Sequence, residues 1–227
     1  MTDAIAVIIP AAGSGKRLGG ISKPLIDVGG RPIILRLLDL FSSFPGVDII
    51  CVAVPAGEMS TFRKIAAASG AKKIMVVEGG AARAVSVKRA FDAVRDSLSD
   101  GDLVCVHDAA RPLLHPSDLG RVIDACRKHD AALLAVRVKD TLKQVDGEGF
   151  CRGTIDRASL YAAQTPQVIR KSLLSKAYDR ARDLAGLTDE IMLLEGIGKH
   201  AFVVEPEHPN FKVTTPEDLD ILRKLIS

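Results

Sequence analysis

The first residues that suggest chemistry belong to a glycine-rich loop that ends in two cations. The stretch AVIIPAAGSGKRL near the N-terminus begins as an apolar run and continues through Gly13 and Gly15 to Lys16 and Arg17. Because glycine has no Cβ, such a loop lets the backbone approach a ligand and direct its N–H groups at phosphate oxygens. Arg17 adds a forked, permanently charged donor, and Lys16 or Lys23 adds a mobile positive charge. The loop therefore predicts a site for a guest that carries several negative charges.

Two common phosphate-binding motifs do not match this loop. The pattern GxxxxGK[ST] requires another glycine spacing and a Ser or Thr after the lysine, where this chain has Arg17. The pattern GxGxxG requires a third glycine at the position of Leu18. A glycine-rich loop by itself is equally consistent with a tight turn beside solvated basic residues.

The elements that must position the loop follow an alternating α/β pattern. Apolar runs of strand type are separated by segments with helical spacing, such as Val87, Ala90, Phe91, Val94 and Leu98. This alternation indicates an open, mostly parallel sheet with helices on both faces. We therefore predict one Rossmann-like α/β domain over residues 1–227. The predicted strands are AIAVII (4–9), VDIICVAV (47–54), KIMVVE (73–78), DLVCVH (102–107), AALLAVRV (131–138) and AFVVE (201–205).

One region breaks the alternation. Residues 138–156, VKDTLKQVDGEGFCRGTID, have the pattern of two polar strands around DGEG, which is a hairpin signal. Their few apolar positions cannot bury much surface by themselves. We therefore predict a protruding β-hairpin arm that packs on a second copy of the chain. A solvated hairpin at the edge of the sheet is the alternative.

Composition and charge exclude several classes of protein. The 227 residues are 47% hydrophobic and 26% charged, which suits one domain with a substantial core. The formal net charge is only +3 and aromatic residues make up 4%, so we expect no nucleic-acid partner. No apolar run is long enough to span a membrane, so we expect no membrane association. The first apolar run is too short for a signal peptide, and we expect a cytoplasmic protein whose mature chain begins at Met1.

Side-chain patterns for other chemistries are missing from the sequence. The four cysteines are scattered without a CxxC pair, and Cys51 and Cys105 lie in apolar runs. This predicts buried, reduced thiols rather than a zinc site. His107 has no second histidine at metal-binding spacing, so we expect a hydrogen-bonded neighbour of the site rather than a ligand. The sequence has no HExxH motif, no serine–histidine arrangement and no pair of catalytic carboxylates.

A second landmark, VHDAARP (106–112), ends the fourth predicted strand. Together with AAGSGKR it makes the chain resemble a sugar- or polyol-phosphate nucleotidyltransferase. Further pieces narrow the resemblance to the 2-C-methyl-D-erythritol 4-phosphate cytidylyltransferase family of the non-mevalonate isoprenoid pathway, over nearly the whole chain. These pieces are VEGGAARAVSV (77–87), KDTLK (139–143), TIDR (154–157), QTPQ (164–167), TDE (188–190) and FKVTTPEDL (211–219).

The resemblance implies a reaction and the residues that perform it. The family joins CTP and methylerythritol phosphate, with Mg²⁺ or another divalent cation, to give 4-diphosphocytidyl-methylerythritol and pyrophosphate. It implies that Arg17 and Lys23 stabilise the transition state on the nucleotide phosphates. It also implies that Arg157 and Lys212 hold the acceptor phosphate for attack. The implied CTP contacts are Pro10, Ala11, Ala12, Gly13, Gly15, Gly80, Ser86, Asp108 and Ala109.

The same resemblance implies further substrate contacts and an assembly. Arg111, Thr141 and Thr165 match substrate-binding positions, together with Arg157 and Lys212. Asp108 is a candidate ligand for Mg²⁺, which would be held mainly by the CTP phosphates. In this family the hairpin arm reaches into the partner subunit. We therefore expect a homodimer in which Thr141 and Arg157 serve the neighbour's active site.

Three other functions remain compatible with parts of the sequence. A ribitol-5-phosphate cytidylyltransferase shares the loop and the CTP site. An NAD-dependent oxidoreductase also combines a wound sheet with an early glycine loop, but the third glycine and an acid after the second strand are missing. A nucleotide-binding module without catalysis is the third alternative, and the four retained cations argue against it.

Overall fold

The structure, a computed structural model, describes residues 3–13, 22–69 and 73–226. The loop residues Gly15, Lys16 and Arg17 lie outside these ranges, and what was predicted for them stays a prediction. The described strands are β1 (Ile5–Pro10), β2 (Asp27–Val28), β3 (Arg31–Pro32), β4 (Val47–Val54), β5 (Ile74–Glu78), β6 (Leu103–Val106), β7 (Ala131–Arg137), β8 (Leu142–Val145), β9 (Cys151–Ile155), β10 (Tyr161–Arg170) and β11 (Phe202–Val204). The described α-helices are α1 (Ile33–Ser43), α2 (Met59–Ala68), α3 (Arg83–Val94), α4 (Pro116–His129), α5 (Lys171–Arg180), α6 (Ile191–Glu195) and α7 (Pro216–Ile226).

Seven strands form the central sheet, in the order β11–β7–β10–β6–β1–β4–β5. Parallel pairing joins β1 to both β4 and β6, β4 to β5, and β7 to β11. The mostly parallel sheet predicted from the sequence is therefore confirmed. From β1 the chain proceeds through β4 to the edge strand β5 and then returns to the other side of β1 as β6. Strand order thus reverses between β1 and β6, where open α/β sheets bind ligands beyond the carboxyl ends of their strands.

Two parts of the pattern differ from the prediction. Strand β10, which was not predicted, lies antiparallel between β6 and β7. The sequence shows no regular strand pattern for β10, because Pro166 lacks a backbone N–H and the pairing with β7 shifts register between Ala163 and Gln167. Helix α3 ends at Val94, and Leu98, which was assigned to its apolar face, follows a short 3-10 turn and is buried by the same cluster.

Helices cover both faces of the sheet, as predicted. Along β1, Ile5, Val7 and Ile9 pack with α1, α2 and α4 on one face. The alternate residues Ala6 and Ile8 pack with α3, α5 and α6 on the other face. All five side chains are fully buried, and each large aliphatic one contributes about 1.5–3 kcal/mol to stability. Strand β1 is therefore a firm support for the residues that follow it.

The predicted hairpin is present as a separate two-stranded sheet of β8 and β9. In the turn of the hairpin, Asp146 Oδ1 accepts the N–H of Phe150 at 2.9 Å. Gly149 has a φ of 92°, which is unfavourable for residues with a Cβ. The side chains of Val145, Phe150 and Ile155 are 53%, 60% and 43% exposed. The arm thus exposes three large apolar side chains, and its packing on a second copy stays a prediction.

Three of the four cysteines are buried, as expected for Cys51 and Cys105 from the apolar runs that contain them. Cys51, Cys105 and Cys126 are buried and free, and Cys151 is exposed on the hairpin. Burial raises the pKa of Cys51 and of Cys126 to about 12, so neither thiol is reactive near neutral pH. Within the described ranges, no helix is both long and apolar enough to cross a membrane.

Candidate active site

A cavity of about 660 Å³ opens beyond the carboxyl ends of β1, β5 and β6, where the strand order reverses. Its walls come from the segment after β1, the turn between β5 and α3, and the segment after β6. Ligand pockets typically have volumes of about 300–1,000 Å³, so the cavity has the size of a small-molecule site. The sequence-predicted residues that line it are Pro10, Ala11, Ala12, Gly13, Lys23, Gly80, Ser86, Asp108, Ala109 and Lys212.

The turn between β5 and α3 has no room for a Cβ at either of its glycines. A Cβ on Gly79 would lie 2.4 Å from Cβ of Ala12, and one on Gly80 would lie 2.2 Å from Cγ1 of Val85. Ser86 fixes the turn because its Oγ accepts the N–H of Gly80 at 3.0 Å. The Ser86 hydroxyl also lies 3.1 Å from a carbonyl oxygen at the start of α3, to which it donates. The turn therefore brings bare backbone to the cavity wall.

Arg83, the first residue of α3, connects two carboxylates at this wall. Its Nε donates to Oδ1 of Asp108 at 2.8 Å. Its Nη1 and Nη2 donate to the two carboxylate oxygens of Glu190 at 2.9 and 3.0 Å. Nζ of Lys212 donates to Oδ2 of Asp108 at 2.8 Å. The four groups form a neutral network of two cations and two carboxylates.

Burial and these ion pairs set the protonation of the network. Burial by itself would raise the pKa of Asp108, but the charges of Arg83 and Lys212 outweigh it and hold that pKa well below its usual value. Burial raises the pKa of Glu190, while the charge of Arg83 opposes the rise. Burial alone would lower the pKa of Arg83, but the two carboxylates outweigh it and raise that pKa. Asp108 is therefore ionised at neutral pH, with a cation on each oxygen.

Lys23 and Lys212 come from distant parts of the chain to one wall of the cavity. Lys212 lies between β11 and α7. Nζ of Lys23 donates to the carbonyl oxygens of Val213 and Thr214 at 3.2 and 3.4 Å. The backbone that carries one lysine is thus held by the ammonium group of the other. Two of the four cations predicted for catalysis are brought together.

Arg111 and Thr165 are buried beside the cavity and do not line it. Oγ1 of Thr165 accepts the N–H of Asp108 at 3.0 Å and donates to Nδ1 of His107 at 3.2 Å. Nε2 of His107 then donates to the carbonyl oxygen of Arg111 at 3.0 Å, and Nη1 of Arg111 donates to the carbonyl oxygen of Asn210 at 2.7 Å. Burial lowers the pKa of His107 to about 4, so it is neutral, in agreement with the expected hydrogen-bonding role. These bonds hold the segment that carries Asp108.

Known proteins of one family are similar to this chain over nearly its whole length. The model of the 2-C-methyl-D-erythritol 4-phosphate cytidylyltransferase family matches residues 5–226. The chain belongs to this family. A curated cytidylyltransferase of that name from Geobacillus thermodenitrificans is 39% identical over 215 residues, which are 93% of this chain and 92% of that protein. Its counterpart from Geobacter metallireducens is 37% identical over 227 residues, 98% and 97% of the two chains. The resemblance inferred from the sequence is confirmed.

A solved family structure from Francisella tularensis supports the fold assignment. It superposes with a TM-score of 0.82 at 33% identity and covers 98% of this chain and 99% of that chain. The predicted α/β fold is therefore confirmed, whereas the role of the arm in dimerisation is not tested.

Asp108, the predicted Mg²⁺ ligand, already has a cation on each of its two oxygens. Among the cavity-lining residues that the structure describes, Asp108 is the one carboxylate. Its oxygens already pair with Arg83 and Lys212 at 2.8 Å. Mg²⁺ requires a near-octahedral shell of oxygens, which this arrangement does not supply. The cavity-lining residues in the described ranges therefore do not by themselves fit a resident ion, and Asp108 as a metal ligand stays a prediction that its pairing disfavours.

A second cluster with acidic side chains lies away from the cavity, and its hydrogen bonds hold the backbone in place. Asp118, Glu207 and His208 have potential ligand atoms within 4.8 Å of one another. Oδ1 of Asp118 accepts the N–H of Glu207 at 2.9 Å and a bond from Arg121 at 3.2 Å. Its Oδ2 accepts the N–H of His208 at 3.2 Å. Asp118 thus anchors the chain just before Lys212.

Thr141 and Arg157 lie at the base of the hairpin and are exposed. Neither lines the cavity of its own chain, and Arg157 donates to the carbonyl oxygen of Lys139. The contribution of Thr141 and Arg157 to a partner subunit's active site stays a prediction. The same holds for the roles of Gly15 and Arg17, which lie outside the described residues.

Sequence reasoning missed the ion pair between Arg83 and Glu190. Arg83 lies in VEGGAARAVSV and Glu190 in TDE, and the sequence predicts no contact between them. Both residues belong to motifs that carry the family resemblance, and this membership could have marked them as candidate site residues. A single sequence gives no reason to pair them, since 107 positions separate them.

Proposed function

We propose that this chain transfers CMP from CTP to 2-C-methyl-D-erythritol 4-phosphate and releases pyrophosphate. Family membership over residues 5–226 supports the reaction class and its substrates. The structural observation that carries the proposal is the meeting of Lys23 and Lys212 beside a bare backbone turn at the switch point of the sheet. That combination suits a ligand with a flat base and several phosphates.

In the proposed reaction, an oxygen of the acceptor phosphate forms a bond to the α-phosphorus of CTP. The bond from that phosphorus to the bridging oxygen breaks, and pyrophosphate leaves with the electron pair. A phosphate monoester has a second pKa of about 6 and is mostly a dianion near neutral pH, so it needs no catalytic base. This agrees with a cavity whose one described carboxylate is held between two cations.

The barrier is electrostatic, because a dianion must approach a polyanionic triphosphate. Two unit charges 4 Å apart interact by about 4 kcal/mol near a protein surface, so each well-placed cation offsets a substantial part of the repulsion. Lys23, Lys212 and Arg17 would also stabilise charge that develops around the α-phosphoryl group. We assign Lys212 to the acceptor phosphate, and Lys23 with Arg17 to the nucleotide phosphates.

The nucleoside would lie against the glycine turn. Gly80 and Ser86 supply the wall for the base, and Pro10–Gly13 supply backbone that a nucleoside can approach closely. A divalent cation would enter with CTP, bound to its phosphate oxygens, and would add positive charge there. This division leaves Asp108 to orient Lys212.

We also propose that the active form is a cytoplasmic homodimer assembled through the hairpin arm. The exposed apolar side chains of Val145, Phe150 and Ile155 support it, because an isolated two-stranded hairpin buries little surface. The position of Thr141 and Arg157 outside their own chain's cavity supports service to a neighbour. The buried free thiols suit a reducing compartment.

Pyrophosphate release tests the proposed function. Each of CTP, UTP, ATP and GTP is supplied with Mg²⁺ and with methylerythritol phosphate, ribitol 5-phosphate or no acceptor. We expect release from CTP only with methylerythritol phosphate. Release with ribitol 5-phosphate alone would identify the other cytidylyltransferase, and no release with any pair would contradict the proposal.

A further inference from the structure

Glu190 does not line the cavity, yet it holds a residue that does. The Glu190 side chain is 2% exposed, and both of its oxygens accept bonds from the guanidinium group of Arg83. A bidentate pair of this kind fixes direction as well as distance, because the guanidinium fork is planar and rigid. The position of Glu190 therefore decides how Arg83 faces the cavity.

Glu190 is in turn anchored to the central sheet. Its backbone N–H donates to Oε1 of Gln167 at 3.0 Å, and Nε2 of Gln167 donates to Oδ2 of Asp189 at 3.0 Å. Gln167 is 1% exposed and lies on β10, paired with β6. Because β6 leads into Asp108, the sheet fixes both carboxylates that Arg83 joins.

In this arrangement Arg83 bonds to one oxygen of Asp108. With both Nη groups directed at Glu190, Arg83 donates to Asp108 through Nε, at 2.8 Å from Oδ1. The other oxygen, Oδ2, accepts a bond from Lys212, also at 2.8 Å. Without Glu190, the fork of Arg83 is free to turn onto both oxygens of Asp108, which is the preferred geometry of an arginine–carboxylate pair. Lys212 would then lose the partner that orients it.

We propose that Glu190 is a positioning residue for the nucleotidyl transfer. By engaging the fork of Arg83, it reserves one oxygen of Asp108 for Lys212 and so fixes the ammonium group at the cavity wall. Glu190 does not line the cavity and acts only through Arg83. The inference rests on the proposed function and adds to it a residue with no assigned role.

A kinetic double-mutant cycle tests the inference with CTP and methylerythritol phosphate. Glu190→Gln keeps the size of the side chain but sets an amide NH₂ against a donor of Arg83. We expect it to lower kcat/KM for methylerythritol phosphate about tenfold or more, with KM for CTP changed less than about threefold. Arg83→Lys removes the fork, so adding Glu190→Gln to that variant should lower kcat/KM further by less than about threefold.

Two further variants separate positioning from general stability. Glu190→Asp retains the carboxylate and should lose less activity than Glu190→Gln, and it replaces that variant in the cycle if Glu190→Gln does not fold. Asp102→Asn is the matched control at the opposite end of β6. The Asp102 carboxylate accepts the N–H groups of Ala4 and Ser99 at 3.0 and 2.7 Å, and its loss should leave kcat/KM unchanged.

Each outcome decides the inference. Equal losses from Glu190→Gln with Arg83 and with Lys at position 83 would overturn it, as would unchanged kcat/KM in Glu190→Gln. If the wild-type chain releases no pyrophosphate, the proposed function fails and the inference falls with it. If the wild type is active and the cycle is additive, the inference alone fails.

Discussion

The glycine turn between β5 and α3 offers the sharpest single perturbation of the cavity. In Gly79→Ala, the new Cβ would start 2.4 Å from Cβ of Ala12 and 2.9 Å from Oγ of Ser86. Carbon atoms pack best at about 3.5–4.0 Å, so Ala12 must retreat by roughly 1 Å. Overpacking of this kind destabilises a protein by about 1–3 kcal/mol. Because Ala12 and Ser86 both line the cavity, the proposed nucleotide site must change with them.

Two measurements on Gly79→Ala check this reasoning. We expect urea unfolding to show a loss of about 1–3 kcal/mol in the free energy of unfolding. We also expect KM for CTP to rise about tenfold, which corresponds to ~1.4 kcal/mol of binding free energy. Both effects have one cause, the displacement of Ala12 and Ser86 from the cavity wall.

Gly120→Ala is the matched control, because it makes the same chemical change inside α4. Its Cβ would meet only an ordinary contact, 3.9 Å from Cζ of Phe44. Alanine stabilises a helix interior by about 0.5–1 kcal/mol relative to glycine, so this variant should be more stable and fully active. A Gly79→Ala protein with unchanged stability and unchanged KM for CTP would refute the steric account of the turn.

Three further predictions concern charge, assembly and pH. Lys212→Ala should lower single-turnover transfer roughly a hundred- to a thousandfold while the protein stays folded, and near-normal turnover would remove Lys212 from the reaction. Mixing inactive Arg157→Ala and Lys23→Ala chains should restore up to about a quarter of wild-type activity, since half of randomly formed dimers are hybrids with one complete site; no recovery would argue for sites built within one chain. The pKa of His107 is lowered to about 4 by burial, so below the unfolded value of about 6.5 the unfolded state binds the extra proton. Stability should therefore fall as the pH decreases from about 6.5 to 4. Thermal unfolding at a series of pH values should show a smaller decrease of the unfolding temperature in His107→Asn than in the wild type. Equal decreases in the two proteins would contradict this prediction.

The fold was predictable where burial repeats along the chain. The continuous apolar run of β4 matched its prediction from Val47 to Val54, because a strand buried on both faces needs no polar alternation. Strand β10 was not predictable in the same way. Its first four residues are half-buried or exposed and have two alanines in place of large apolar side chains, and Pro166 interrupts the pattern at a register shift, so only the pairing with β6 and β7 reveals it.

The candidate site was predictable as types of residue rather than as contacts. Glycine and lysine at the ends of apolar runs indicate a phosphate site because parallel strands bring their carboxyl ends to one edge. The bond from Lys23 to the backbone beside Lys212 spans 190 positions, and no local pattern encodes it. The same holds for Arg83 and Glu190, whose pairing depends on how α3 and the start of α6 pack on the sheet.

The central claim is that fixed cations beside a bare backbone turn bring two anions together. A crystal structure with 4-diphosphocytidyl-methylerythritol tests it most directly. We expect the ammonium groups of Lys23 and Lys212 to lie within about 3 Å of phosphate oxygens, with the cytosine against Gly80 and Ser86. A ligand bound elsewhere, or bound here with both ammonium groups turned to solvent, would contradict the account.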